Sequence, residues 1–459
     1  MMRCFPPKTV RGSVLASFFS FITIAASAAT SRFRPCAWTR DSSLSIGGCS
    51  GAVHNGDGTL TRAITDDILP RMFSFLALDM VDSGENDRFY YLCRPPTGER
   101  EHRHMPIRDL AAAWDATKAL LFLEGRNGEG EGLRDCKHET DGTVIIRRIL
   151  RVVVCCTLEA YQPLTPIRVD GGCEDQDCSA LTLNAHMLKE TANIAHSALL
   201  IMASANAHRL SICPDFDIET TVCGLVQGIL SNQRPDGAFR IEFDGQDESD
   251  VYKGIDFFPG EAMLALMDAY DLSEKSGSIL NEHAREAIVS CLERAYMFYC
   301  DYYHEEKPDV NFNIWQIISL SRFYDVLGRR GRLDQAAFVA HHVLNMCREI
   351  VVSRAWKELK QGQSFYANLN TVEIVCGLDA LAEGLRLANS IGDVETAALF
   401  KRNAMNAVYF VEWSQSQVSR DSSRGFGGLG FGGNHVVEQR LDVTGHAISA
   451  LVKLCLLDL

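Results

Sequence analysis

Apolar residues recur at three- and four-residue spacing along almost the whole chain, the spacing of one face of an α-helix. Twelve stretches carry it: 64–80, 107–123, 143–161, 185–208, 218–232, 259–270, 281–303, 312–326, 333–352, 370–391, 394–413 and 442–457. Their ends carry start signals. Pro259 suits a first helical position, Asn370 with Glu373 forms an N-x-x-E cap, and Asp442 caps the last stretch. Period-two alternation is scarce, and its best example, Phe239 to Phe243, falls in a loop. About twelve helices make six hairpins. The predicted fold class is all-α, an (α/α)6 toroid whose end loops line a bowl. Residues 447–457 are nearly all small or apolar and read as an inner helix. Residues 378–387 read as a weaker one, interrupted by Asp379, Glu383 and Arg386. Residues 281–303 and 333–348 keep a charged face and read as outer helices.

One phrase occurs twice. An apolar helical run carries a Gln near its end, and a Gly-rich aromatic turn follows. The first copy is GLVQGILSNQRPDGAF, Gly224 to Phe239, and the second is AVYFVEWSQSQVSRDSSRGFGG, Ala407 to Gly428. Self-similarity of this kind marks a repeated helical hairpin.

The N-terminus differs from the body. Arg3, Lys8 and Arg11 precede the apolar stretch 14–29, and Ala26-Ser27-Ala28 is an A-x-A cleavage pattern. Residues 1–28 therefore read as a signal peptide, with no stable membrane span after cleavage. Residues 29–60 read as a transit or flexible segment, and 61–459 as one toroid domain. The two leader parts together resemble the bipartite leader of algae with secondary plastids. The expected route enters the secretory pathway and ends in a plastid or outside the cell. Net charge is −14 and the body has no Lys/Arg run, which argues against nucleic acid or an anionic membrane as partner.

There are 16 cysteines. Cys155, Cys156, Cys223, Cys291, Cys300, Cys347, Cys376 and Cys455 lie on apolar helical faces, where thiols usually behave as small hydrophobes. Cys173 and Cys178 flank a short acidic loop and are spaced to pair. His102 with His104, and His341 with His342, lack the i, i+4 spacing of a helical metal pair, so no metal or cofactor is expected.

Three groups carry candidate chemistry. Asp236, Asp256 and Glu261 sit in or beside the turns RPDGAF and FFPG, as a carboxylate set for acid/base cleavage. Asp in P-D-G is equally a turn residue, and Glu in a first helical turn equally serves the helix dipole. Asp442 and His446 share a helical face, suited to orienting an imidazole, and Arg440 suits a substrate carboxylate. The plainer account is an N-cap with a local ion pair. Tyr366, Asn370 and Glu373 offer an aromatic and polar loop for a sugar, or a capping box beside an ordinary aromatic. Trp315, beside Asn313 and Gln316, is a stacking platform or a buried indole. Asp215, Asp217 and Glu219 read as a solvated, helix-starting acidic cluster.

The stretch GIDFFPGEAMLALMDAYDL, Gly254 to Leu272, resembles the Y-P-G-E-A-L-L-A-L segment of α/α-toroid proteins in the six-hairpin glycosidase-like superfamily; Phe258 stands at the Tyr position. NIAHSALLIMA, Asn193 to Ala203, and the segment Gly427 to Leu454 resemble that group's small-residue helix and closing segment. The resemblance implies the toroid, and it adds Phe258 to the substrate-binding candidates. That superfamily holds hydrolases, lyases and epimerases. The expected function is hydrolase-type acid/base cleavage of a glycan or uronic-acid-containing substrate. Its expected partner is a carbohydrate or another polyhydroxylated small molecule. The turn phrase also recurs in terpenoid cyclases, so the alternatives are a terpenoid-cyclase-like enzyme and a non-catalytic glycan-binding or scaffold toroid.

Overall fold

The computed structural model describes residues 59–82, 88–101, 105–125, 141–167, 179–243, 254–276, 279–306, 308, 310–417, 427–430 and 438–457. The predicted leader 1–28, most of the 29–60 segment, Cys173, Cys178, His102 and His104 lie outside them. Eleven long helices alternate along the described chain. They are α1 (Pro106–Leu123), α2 (Asp141–Tyr161), α3 (Ile194–Arg209), α4 (Ile218–Ser231), α5 (Phe258–Ser276) and α6 (Glu282–Glu306). There follow α7 (Val310–Arg329), α8 (Leu333–Val352), α9 (Thr371–Ile391), α10 (Val394–Ser416) and α11 (Leu441–Leu456). A helical run with two π-turns covers residues 59–79 ahead of them. The protein is mostly helical, as the periodicity predicts.

The predicted helix at 185–208 is in fact two. Lys189 adopts a left-handed φ of 57°, which ends the turn Ala185–Leu188. Asn193 then restarts the chain as N-cap of α3, accepting from the backbone N–H of Ala195 and His196. In α3 every residue but the last two is buried, so its sequence shows little amphipathic contrast. Phe239 to Phe243 makes only isolated bridges, Gln233 with Phe239 and Asn193 with Glu242.

The odd helices contact one another in order. α1 packs on α3, α3 on α5, α5 on α7, α7 on α9 and α9 on α11, and α11 returns to α1. Each even helix packs on the odd helix before it. Side-chain contacts between odd helices join residues at similar depth from their N-termini. Examples are Asn206 on α3 with Thr117 on α1 (3.1 Å) and Arg386 on α9 with Asp325 on α7 (2.9 Å). The odd helices so joined run the same way, and their N-termini gather at one end.

The repeated phrase has one structural role at both places. At the end of α4, Gln233 Nε2 donates to the carbonyls of Gly237 (3.0 Å) and Cys291 on α6 (2.8 Å). At the end of α10, Gln415 Nε2 donates to the carbonyls of Gly427 (2.8 Å) and Ile68 (3.3 Å). Each turn is thereby clasped to the next outer element, and for α10 that element is the run 59–79. This run also contacts α11. Gly237 and Gly427 have φ of 98° and 99°. A Cβ at either would lie 2.2 Å from a backbone oxygen, of Arg294 and Arg71 respectively.

Three small antiparallel sheets decorate the helices. In one, β1 (Leu92–Arg94) pairs with both β2 (Glu99–Glu101) and β3 (Gln439–Arg440), with Leu92 opposite Arg440. This sheet fixes the chain entering α11. Two of the cysteines expected as small hydrophobes are corrected. Cys155 on α2 is disulfide-bonded to Cys213 after α3, and Cys223 is also disulfide-bonded. The partner Cys213 sits at a left-handed φ after a helix end, which apolar spacing does not signal. Among the described residues no helix is long and apolar enough to cross a membrane.

The two copies of the turn make one prediction. Gly237→Ala and Gly427→Ala should each destabilise the protein by about 2 kcal/mol or more, through a strained φ and a backbone clash. Denaturant unfolding would show this, and a neutral effect at either site would contradict the equivalence of the two turns.

Candidate functional site

The N-terminal ends of α1, α5, α7, α9 and α11 bring a polar cluster together. At its rim, Asp442 accepts from two arginines. Arg108, in the first turn of α1, reaches Asp442 Oδ2 at 2.7 Å, and Arg440 Nε reaches Oδ1 at 3.0 Å. Burial alone would raise the Asp442 pKa, but Arg108 and Arg440 hold it well below the usual carboxylate range. Asp442 is therefore a fixed anion that aligns two guanidinium groups. Arg440 also lies over the ring of Tyr91, 5.1 Å from its centroid.

Glu261 occupies the first turn of α5 and is 8% exposed. Its Oε2 is buried and has no hydrogen-bond partner among the described residues. Burial pushes its pKa up to about 7, against the lowering pull of Arg108 and His446. A carboxyl in that state holds its proton at mildly acidic pH and releases it near neutrality. Gly260 lets α5 close on α7, since a Cβ there would lie 2.5 Å from Trp315 Cβ. That contact sets Glu261 beside the Trp315 position.

Below the rim lies an aromatic and ionic layer. Trp315 stacks on Trp114 of α1 at 6.2 Å between centroids and meets the His446 ring edge-on at 5.7 Å. Lys118 Nζ sits 3.4 Å above the Trp114 ring and 2.7 Å from Asp115 Oδ1. Asp115 fills the notch at Gly445, where a Cβ would be 1.7 Å from its Oδ2. His446 Nδ1 is 3.8 Å from Asp379 Oδ2, an ion-pair distance. Burial would lower the His446 pKa, yet Cys376, Asp379 and Asp115 around it raise it well above the ordinary value. The imidazole is thereby biased toward its protonated form.

The floor is a buried charge network. Lys453 Nζ lies 2.9 Å from both Asp379 Oδ1 and Glu383 Oε1. Ser449 donates to Asp379 (3.1 Å), Ser321 to Glu383 (3.1 Å), and Arg386 Nε to Glu383 (2.9 Å). Burial penalises both carboxylates, and Lys453 leads the charges that nonetheless lower their pKa values.

Of the residues singled out by sequence, Glu261, Arg440, Asp442, His446 and Trp315 meet in this cluster. Asp256 lies in the turn that leads into α5 and is half-buried. Phe258 opens α5, and its ring packs over Gly254. The others stand elsewhere. Asp236 pairs with Arg234 (3.0 Å) and accepts from the Ala238 N–H (3.2 Å), which is a turn role on an outer corner. Asn370 caps α9 through the Val372 N–H (3.1 Å), with Glu373 in the same first turn. Tyr366 is buried edge-on against Phe410 and Trp413 of α10. Asp217 caps α4 through the Thr220 N–H (3.1 Å), and Asp215 and Glu219 flank it.

The rest of the cluster carried no motif. Arg108, Asp115, Lys118, Cys376, Asp379, Glu383 and Lys453 sit singly in helical stretches. One signal was available: Asp379 and Glu383 at i, i+4 in one apolar helix, and Lys453 alone in another, are matched charges with nowhere dry to go except toward each other. Comparison of the chain with protein-family models gives no match, and comparison with curated proteins gives none.

The floor makes a prediction with a definite sign. Lys453→Met removes the cation shared by two buried carboxylates, leaving Glu383 its Arg386 pair and Asp379 only the more distant His446, and should cost about 3–5 kcal/mol near pH 7. Their depressed pKa values mean that wild-type stability from this source is complete above the unfolded carboxylate range and falls as pH drops through it. The deficit of the variant should therefore shrink as pH falls toward about 4, where the stranded groups take up protons. Unfolding of both proteins across that range would show it; a constant deficit or none would contradict the network.

Proposed function

We propose that the ordered ring of hairpins is an (α/α)6 toroid and that the cluster is the active site of an acid/base enzyme. Its substrate class is a polyhydroxylated anion, such as a uronic-acid-containing glycan. One observation carries this reading: the Glu261 carboxyl is buried and lacks a partner at Oε2, and burial pushes its pKa up to about 7. A structural carboxylate at a helix N-terminus would instead be ionised and satisfied. Glu261 protonates the leaving oxygen of the scissile bond. Asp256, five residues earlier at the same helix end, takes the second carboxylate role, activating water or attacking the sugar. The guanidinium pair on Asp442, with His446 biased toward its protonated form beside it, favours a negatively charged substrate, and Trp315 gives a sugar face its wall. No cofactor enters this scheme.

The disulfide Cys155–Cys213 supports passage through an oxidising compartment, in keeping with the leader's route to a plastid or the cell exterior. The ion pairs below the rim count against a terpenoid-cyclase-like enzyme, which needs a dry aromatic cavity. A non-catalytic toroid is the second reading, and the pairing of Asp442 with both Arg108 and Arg440 favours it.

Glu261→Gln separates the two. The catalytic reading expects turnover of a uronic-acid glycan to fall by about 10² to 10⁴ with the fold intact, and the wild-type rate to show a limb near pH 7. Undiminished turnover in the variant would contradict it. Stability gives an independent check. A carboxyl whose pKa is raised by folding makes the native state bind more protons, so wild-type stability should decline as pH rises from the unfolded value toward about 7. The Gln variant should lack this decline.

A further inference from the structure

A second constellation lies away from the central cluster, on the outer helices. The last two turns of α6 carry Cys300 and His304, one helical turn apart on one face. The neighbouring α8 contributes His342. The thiol sulfur and one ring nitrogen from each histidine all lie within 4.8 Å of one another, and Cys300 Sγ is 3.8 Å from His342 Nδ1. In a tetrahedral zinc site with ligand bonds of about 2.0–2.3 Å, donor atoms stand about 3.3–3.8 Å apart. The Cys–His edge already has that length. The remaining edges close with side-chain rotations of under about 1 Å at the donor atoms.

We infer that Cys300, His304 and His342 form a binding site for a borderline-soft divalent cation, Zn(II), with one position open to solvent. The donor set fits that ion: one thiolate and two imidazoles suit zinc, and carboxylate-preferring ions such as Mg(II) and Ca(II) do not take it. The exposure gradient sets the open side. His342 is buried, Cys300 is half-buried and His304 is exposed, so the fourth position faces water. Aromatic residues frame the inner side. Tyr303 and Tyr296 meet the His342 ring edge-on at 5.0 and 5.8 Å, which fixes its plane. The Tyr296 hydroxyl is buried and adjoins the Cys300 sulfur, its hydrogen-bond partner there. A metal-bound thiolate there accepts from this hydroxyl, which acts as an outer-shell donor to the ligand. Cys300 is a free thiol, unlike the bridged Cys155 and Cys213.

The sequence hid this site because the two ligands that share a helix are a cysteine and a histidine, and the third comes from another helix. The C-x-x-x-H spacing of Cys300 and His304 has the i, i+4 step that His341 and His342 lack. His341 is exposed and is not among the three clustered donors.

The test uses the full-length protein after stripping with a chelator. Zn(II) is titrated in competition with a chromophoric chelator, and Co(II) is titrated while absorbance is followed. The expected results are one metal ion per chain and a thiolate-to-cobalt charge-transfer band that Cys300→Ser abolishes. His304→Ala, a surface change that leaves the fold in place, should weaken Zn(II) binding at least about tenfold. His341→Ala should leave it unchanged. Sub-stoichiometric Zn(II), a Co(II) spectrum without a sulfur band, an equal loss in His341→Ala, or binding of Cu(II) but not Zn(II) would each overturn the assignment.

Discussion

A carboxylate buried among helices has to find a cation, and the centre of this protein is organised by that requirement. Asp379 and Glu383 take theirs from one ammonium group, Lys453, on the neighbouring helix. Removing an ion from water costs several kcal/mol unless attraction and hydrogen bonds offset it. The serines 449 and 321 and the guanidinium of Arg386 provide the remaining bonds. The pairing fixes the register of α11 on α9. Asp442 bridges Arg108 and Arg440 at the rim, and this fixes α11 on α1. Between these two levels His446 and Trp315 are held in place, and Glu261 faces them from α5.

The same logic explains why Glu261 differs from its neighbours. Every other carboxylate of the cluster has a cation in contact. Arg108 and His446 act on Glu261 without neutralising its burial, because Arg108 is engaged by Asp442 and His446 by Asp379. One carboxyl remains uncompensated in a charge-balanced surrounding, which is the pattern by which proteins tune an acid toward neutrality. It costs stability at neutral pH, a cost that recurs at functional sites more than at purely structural ones.

Much of the architecture was legible in the sequence. Helical periodicity located nearly every long helix, and the twice-used Gln–Gly phrase marked two equivalent turns that clasp successive outer elements. What periodicity does not carry is direction. It marked Asp379, Glu383 and Arg386 as blemishes on a candidate inner helix, when they are the side chains that face the centre. Asp236 and Asn370 had motif-like surroundings because turns and caps use the same residues as active sites. Cys376 looked like a small hydrophobe and lies beside the His446 ring. Each of these outcomes depends on which helices become neighbours, and spacing along one chain does not record that.

Glu261, as a buried carboxyl with its pKa pushed up to about 7, holds its proton through mildly acidic pH. Difference infrared spectra of wild type minus Glu261→Gln, recorded along a pH series, read that proton directly through the carboxylic C=O stretch. The account predicts a protonated band that persists through mildly acidic pH and disappears around pH 7. A band lost near pH 4, where an ordinary glutamate ionises, would contradict it.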